Sequence, residues 1–388
     1  MKPVDLTVIA QSFERRSAAQ HLVDRFLIGY PREGRWVDPA GRRVILSAPE
    51  EAATDDLRQR RVDFQLETTR DAQGAATAAA TILLVPVDGV SVERDRFVRE
   101  TLEVTRTGAR VFVHGPLASD RSTAEEFTRL ADFRSVKLGA GSYFSSTLRL
   151  PAVDVPRDAE LREAVIVTTG APGWAEFRAL DALLPLLERR RGGEAGVESV
   201  RALAGDAVWR AQSDREWSRE LVGAAISRSS TPHGASQTES RPQNLLGLGE
   251  VRRLAKDPLA YVIDHVDGVR STVLVLNGVI GELNVAVKTS SGELVSTQFF
   301  EQPSKEADEW DGRTIPMEHQ WSSLAANLDD SLQTDQAEWL PGPRDRALAT
   351  ATLLGLMKEA RSQLAFAVKG PGEVMAYTNH RPSLFERS

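Results

Sequence analysis

Over its first 140 residues the chain alternates short runs of Val, Ile and Leu with longer amphipathic stretches, and this alternation constrains the fold more than any other feature. The apolar runs at 4–10, 44–48, 80–87, 110–114 and 136–139 lack polar alternation, as strands buried on both faces do. Between them, residues 18–28, 49–61, 92–107 and 123–133 carry the helical period. Ser122 or Thr123 ahead of Glu126 supplies a capping signature for the last of these helices. Five strands joined by crossover helices predict an open, doubly wound parallel sheet of Rossmann-like type. The ligand crevice of such a sheet lies beyond the carboxyl ends of its strands.

After about residue 155 the pattern changes. A strand at 164–169 leads to a helix at 174–191 that Gly192-Gly193 ends, and strands follow at 197–205, 261–265, 270–276, 282–289 and 293–299. Asp267-Gly268 between two of them is a hairpin signal. Consecutive strands joined by turns predict an α+β domain with a mainly antiparallel sheet. Residues 227–244, dense in Ser, Thr, Pro, Gly and Gln, read as a long loop, and two helical patterns at 317–332 and 344–367 close the chain. The expected division is a degenerate Rossmann-like domain at 1–145 and an α+β domain for substrate and oligomerisation at 146–388, the latter carrying both C-terminal helices. A chain of 388 residues suits two domains of ordinary size.

Charge narrows the partners. Forty-eight Lys and Arg against 55 Asp and Glu leave a net charge of −7, so no global positive field exists to hold nucleic acid or an anionic membrane surface. There is no cysteine, which removes thiolate metal sites, thiol nucleophiles and disulfides. Residues 1–5 reach charged side chains before any long apolar stretch, and no later segment approaches the roughly 20 apolar residues of a membrane span. A cytoplasmic protein is the expectation.

Metal chemistry lacks a local motif. No two of His21, His114, His233, His265, His319 and His380 stand four apart on a helical period, and a distributed site from His21, His114 and Glu176 competes with separate hydrogen-bonded histidines. No metal is expected. A dinucleotide fold of this layout places G-x-G-x-x-G directly after its first strand, because glycines let the backbone approach a diphosphate at the helix N-terminus. Here that stretch is Ala10-Gln11-Ser12-Phe13-Glu14-Arg15-Arg16-Ser17, without a glycine. Glu50 or Glu51 after the second strand offers a ribose partner, and equally serves a helix N-terminus.

Two longer stretches carry a resemblance. Val111-Phe112-Val113-His114-Gly115-Pro116-Leu117-Ala118 resembles the fifth strand and Glu-Lys-Pro loop of the glucose–fructose oxidoreductase/inositol dehydrogenase (Gfo/Idh/MocA) family. The segment from Gly170 through Trp174, Glu176, Arg178 and Asp181, with Gly192-Gly193 and the following strand, resembles that family's catalytic helix. Residues 19–31 and 189–209 resemble a divergent subgroup of it more closely. The resemblance implies a Rossmann-like domain followed by an α+β domain, and NAD(P)-linked dehydrogenation of sugars or cyclitols. It also implies three catalytic side chains: a lysine in the loop and an Asp-x-x-x-His pair on the helix. This chain has Gly115 for the lysine, Trp174 for the aspartate and Arg178 for the histidine. None can do the replaced work, since glycine has no side chain, indole does not titrate, and guanidinium keeps its proton. The departures imply that ordinary NAD(P)-dependent oxidation is lost; no cofactor is expected.

The remaining candidates are polar. His114 closes strand five, Asp88 follows strand four, Glu176, Arg178 and Asp181 lie on the second-domain helix, and Tyr143, Ser145, Ser146, Arg149 and His21 complete the set. Together they suit a small polyhydroxylated or anionic molecule. Plainer roles stand beside these. Arg178 pairs with Asp181 three residues on, Asp88-Gly89 makes a turn, and His21 rests on the helix surface with Asp24. Trp174, Trp209 and Trp217 form either a sugar platform or core, and Arg228 and Arg241 flank the loop around His233.

Three functions follow. The first is a repurposed acid/base enzyme, a lyase, hydratase, isomerase or epimerase on a sugar-like or cyclitol-like substrate, with His114 and Glu176 as the titrating pair. The second is a catalytically silent subunit or scaffold partnering an active paralogue, assembled as a homo- or hetero-oligomer through an uncovered apolar face of the C-terminal sheet. The third is an atypical NAD(P)-dependent sugar oxidoreductase that holds its cofactor through Arg15, Arg16 and backbone amides.

Overall fold

The computed structural model describes residues 5–39, 42–49, 55–231, 246–247, 249–301, 319–333, 339 and 341–378. They group into two units: Met1–Thr147 with Glu301–Thr352, and Leu148–Phe300 with Leu353–Ser388.

The first unit contains β1 (Leu6–Ala10), α1 (Ala18–Ile28), β2 (Tyr30–Arg32), β3 (Arg35–Val37), β4 (Val44–Ser47), α2 (Asp55–Asp63), β5 (Glu67–Thr69), α3 (Ala72–Ala78), β6 (Thr81–Val85), α4 (Val92–Val104), β7 (Arg110–His114), α5 (Arg121–Phe133) and β8 (Lys137–Gly141). Six strands form a parallel sheet in the order β5-β4-β1-β6-β7-β8, with the strand order reversing between β1 and β6. That is the doubly wound arrangement expected. The alternation of side chains across each strand feeds two cores. Leu6, Val8 and Ala10 of β1 and Phe112 of β7 face one cluster, while Ile9 and its neighbours Val111 and Val113 face the other.

Local chemistry sets the helix ends. Ser17 caps α1, its Oγ accepting from the Gln20 amide at 3.3 Å, and Gly29 ends it at φ +107°, where a Cβ would lie 2.4 Å from the Val37 carbonyl. The cap of α5 is Asp120, which accepts from the Thr123 amide at 2.9 Å, rather than Ser122 or Thr123. The helix thus starts before the expected signature. Strand β5 and helix α3 were not anticipated: Glu67-Thr68-Thr69 is too short and polar to write a strand pattern, and α3 is an alanine-rich turn capped by Asp71.

The second unit contains β9 (Arg149–Leu150), β10 (Leu161–Thr168), α6 (Trp174–Leu187), β11 (Val197–Ala204), α7 (Asp206–Ser213), α8 (Arg219–Ile226), α9 (Glu250–Leu254), β12 (Lys256–His265), β13 (Arg270–Asn277), β14 (Leu283–Thr289), β15 (Leu294–Phe299) and β16 (Ala367–Gly372). Its sheet runs β16-β11-β12-β13-β10-β14-β15-β9, with β10–β13 parallel and every other pair antiparallel. The Asp267-Gly268 hairpin forms as expected, the Gly268 amide donating to the His265 carbonyl at 3.0 Å. Helices of the unit pack on its central strands. Helix α6 packs on β10 and β13, and α7, α8 and α9 with Trp217 bury Val165, Val167, Val262, Leu274 and Ala286 on the opposite side.

The described residues of the C-terminal part divide between the two units. The helix α10 (His319–Gln333), expected in the 146–388 domain, belongs to the first unit. Its Trp321, Leu324 and Leu328 join the cluster of Leu22, Val23 and Phe26 from α1. Tyr30 donates to Asp329 at 3.1 Å, and Arg32 grips Asp330 with two bonds of 2.7 and 2.9 Å. The last helix, α11 (Arg344–Ser362), begins in the first unit and ends in the second.

Candidate functional site

In a doubly wound sheet a ligand is met by the loops at the strand carboxyl ends, nearest the point where strand order reverses. At that point Gln11 closes the seam. Its amide donates to the Val85 carbonyl at 3.0 Å and its side chain accepts from the Val87 amide at 3.2 Å. The β1–α1 turn then folds back on itself. Phe13 is buried in the core, the Glu14 amide donates to Ser17 Oγ at 3.3 Å, and the Ser17 amide donates to the Glu14 carbonyl at 3.1 Å. Arg16 sits in the left-handed region at φ +65° and its amide donates to Gln20 Oε1 at 2.6 Å. The amides of Glu14, Arg16, Ser17 and Gln20 are thus held by oxygens of the turn and of α1 itself.

The exit of β7 is equally occupied. Arg94 is fully buried and donates to the carbonyls of His114 at 2.6 Å, Pro116 at 2.7 Å and Val87 at 3.1 Å. Desolvation pulls its pKa down to about 10, against the opposing pull of Asp95 and Asp88. A Cβ on Gly115, which has φ +90°, would lie 2.9 Å from Arg94 Nη2. The guanidinium therefore fills the space a side chain at 115 would need.

His114, the foremost sequence candidate, does stand at the end of β7 but is sealed, at 2% exposure. Burial, with a smaller push from Arg94, lowers its pKa to about 3, so the ring is neutral at pH 7. Among the described residues neither ring nitrogen has a hydrogen-bond partner. Trp321 of α10 packs against it, ring centroids 5.3 Å apart. The same indole stacks on His21 at 4.9 Å and meets Tyr143 edge-on at 4.9 Å. His21 is also held neutral, burial and then Arg25 lowering its pKa to about 3. Asp24 pairs with Arg60 rather than with His21. Tyr143 donates to Glu301 at 2.8 Å, and Ser145 to the Pro341 carbonyl at 2.6 Å. Asp88 is exposed in a turn with Gly89 at φ +111°, the plainer of its two expected roles. Thus His114, His21 and Tyr143 are brought together around Trp321, a residue that no local pattern singles out. Trp321 lies 178 residues along the chain from Tyr143 and farther still from His114 and His21, within an ordinary amphipathic helix.

Glu176, Arg178, Asp181 and Arg149 belong to the second unit. Glu176 is 3% exposed and engaged on both oxygens: Oε2 accepts from the Gly173 amide at 2.5 Å, while Oε1 accepts from Tyr261 at 2.7 Å and Arg361 at 3.0 Å. It closes the N-terminus of α6 and ties that helix to β12 and α11. Arg178 donates to the Thr169 carbonyl at 3.3 Å, and Asp181 is buried in α6. Arg149 pairs with Asp154 at 2.8 Å and lies over Phe299. Trp209 and Trp217 meet edge to face at 6.4 Å while Trp174 packs on Phe177; they make no common platform. Arg228 donates to Ser296 at 2.8 Å. Glu50, Glu51, His233, Arg241 and His380 lie outside the described residues.

Among the described residues no group of three or more His, Asp or Glu is placed to hold a metal ion, and no helix is long and apolar enough to cross a membrane. No protein-family model and no curated protein matches the sequence. Solved structures do. Myo-inositol dehydrogenase from Lactobacillus casei, described in complex with NAD(H) and myo-inositol, superposes with a TM-score of 0.57 at 12% identity, covering 99% of this chain and 100% of that one. An NAD binding oxidoreductase from Klebsiella pneumoniae gives 0.55 at 12% identity over 95% of this chain and 99% of its own. Scyllo-inositol dehydrogenase from Lactobacillus casei gives 0.52 at 9% identity over 95% and 99%. The chain therefore has the two-part oxidoreductase fold of these inositol dehydrogenases, as its fifth-strand loop and second-domain helix led one to expect.

Proposed function

We propose that this protein uses the oxidoreductase fold without NAD(P)-linked hydride transfer, as a catalytically silent binding or scaffold protein. One observation carries the proposal: the β1–α1 turn satisfies its own amides, through Ser17 Oγ and Gln20 Oε1, where a diphosphate would need them bare. Two others support it. Arg94 fills the space beside Gly115, and Glu176 spends its carboxylate on the α6 cap, Tyr261 and Arg361. An acid/base enzyme built on His114 and Glu176 loses its support with the last of these.

The rival is a dehydrogenase like the NAD(H)-bound Lactobacillus casei enzyme. Isothermal titration of the full chain with NAD+, NADH, NADP+ and NADPH, followed by assay for reduction of NAD(P)+ with myo-inositol, scyllo-inositol and aldoses, separates them. No binding and no turnover are expected. Micromolar binding accompanied by substrate-dependent reduction refutes the proposal.

A further inference from the structure

After α8 the chain continues as Arg228–Thr231, and one carboxylate of the second unit gathers most of what holds this segment. Glu282, one residue ahead of β14 and 8% exposed, accepts from Ser229 Oγ and the Ser230 amide at 2.6 Å each through Oε1. Its Oε2 accepts from Thr231 Oγ1 at 2.5 Å and from the Gly281 amide at 2.8 Å. Burial pushes this carboxyl up, but the Ser229 and Thr231 hydroxyls outweigh burial and hold it below the usual carboxylate range. Among the described residues the amides of Ser230 and Thr231 have no backbone acceptor, so side chains alone hold them.

Across β14 and β15, Asn284 pairs with Gln298 and Ala286 with Ser296, so these four side chains share one face of the sheet. Ser230 Oγ accepts from Gln298 at 3.2 Å and Arg228 donates to Ser296 at 2.8 Å, which lays the segment along those two rows. There Asn284 is wholly buried, and neither polar atom of its carboxamide has a partner among the described residues. An unmet carboxamide is uncommon in an interior and favours any state in which water reaches it. The closed segment therefore sets a cluster of charge-assisted bonds against an unmet polar group. We propose that Arg228–Thr231 is a strap that opens as a unit while the sheet beneath it stays folded, latched by Glu282 and pressed toward the open position by Asn284. Opening breaks a few side-chain bonds and no strand ladder, so it lies far below global unfolding in free energy. The device belongs to the second unit alone and is independent of the hydride-transfer reading.

Native-state amide exchange on the full chain tests both halves of this, with the amides of Ser230, Thr231 and Gly281 reporting on the strap and those of β13 on the sheet. In wild type the three strap amides should be at least tenfold less protected than the β13 amides. Glu282→Gln, which removes the charge and one acceptor oxygen at constant shape, should speed their exchange at least tenfold further and leave β13 unchanged. Asn284→Leu, which keeps the bulk and removes the unmet groups, should slow them at least threefold. Strap amides that exchange only as fast as β13 overturn the proposal. So does a Glu282→Gln protein with unchanged strap exchange, or an Asn284→Leu protein whose strap exchanges as fast as wild type or faster. If Asn284→Leu does not fold, Asn284→Val is smaller and carries the same comparison.

Discussion

Replacing His114 by leucine should make the protein more stable, and the size and pH dependence of the gain follow from the site. The ring is 2% exposed with both nitrogens unmatched among the described residues. Each unmet buried donor or acceptor costs about 1–3 kcal/mol, and leucine has comparable bulk with nothing to satisfy. Part of the gain is offset by the lost ring contact with Trp321, worth about 0.5–1.5 kcal/mol. A net stabilisation of about 1–5 kcal/mol at pH 7 is the expectation. The pH signature is sharper. His114 titrates near 6.5 when unfolded and at about 3 when folded, so between those values the unfolded chain binds a proton that the folded chain refuses. Stability is full above pH 6.5 and falls as pH drops toward 3. At pH 5 this one ring accounts for a loss of about 2 kcal/mol, which the leucine variant lacks. His21 keeps its own contribution of the same sign in both proteins. Urea unfolding at pH 7 and pH 5, read by hydrogen exchange at the amides of β1 and β7, measures both quantities. A variant that loses stability at pH 7, or whose acid dependence matches wild type, refutes the reasoning.

Gly115→Ala should destabilise the first unit by about 1–3 kcal/mol in thermal unfolding, because φ is +90° and the new Cβ meets Arg94 Nη2 at 2.9 Å. Arg94→Met, which strips the carbonyls of Val87, His114 and Pro116 of their donor, should cost at least about 3 kcal/mol by the same measurement. Glu176→Ala should weaken the α6 end of the second unit by about 2–4 kcal/mol, visible as faster amide exchange in α6 and β12 with β1 and β7 unchanged. A Glu176→Ala protein with undisturbed exchange contradicts its structural role. Acid should also loosen the second unit at Glu194. Burial pushes that carboxyl up, but His265 and then Arg190 outweigh it and hold the group at about 2. Its contribution is present above about pH 4.5 and lost as pH falls through 2, and Glu194→Gln should flatten that acid limb in a calorimetric pH series.

The sequence by itself determined the two sheets. Unbroken apolar runs such as 110–114 can be buried only on both faces, and β7 begins and ends where the run does. Ser17 and Gly29 bound α1 at the expected residues because capping is chemistry within a few positions. It also placed His114 at a strand exit. What it left undecided depends on groups that meet across long separations. Trp321 reaches His21, His114 and Tyr143 only once α10 has docked on α1 in the first unit. Arg94 looks like one of several charged residues on a surface helix until the fold turns it under Gly115. Glu176 reads as a cleft carboxylate until Tyr261 and Arg361, 85 and 185 residues away along the chain, close on it. Periodicity and capping are local and survive in one dimension, whereas the partner of a buried charge or ring is chosen by packing in three.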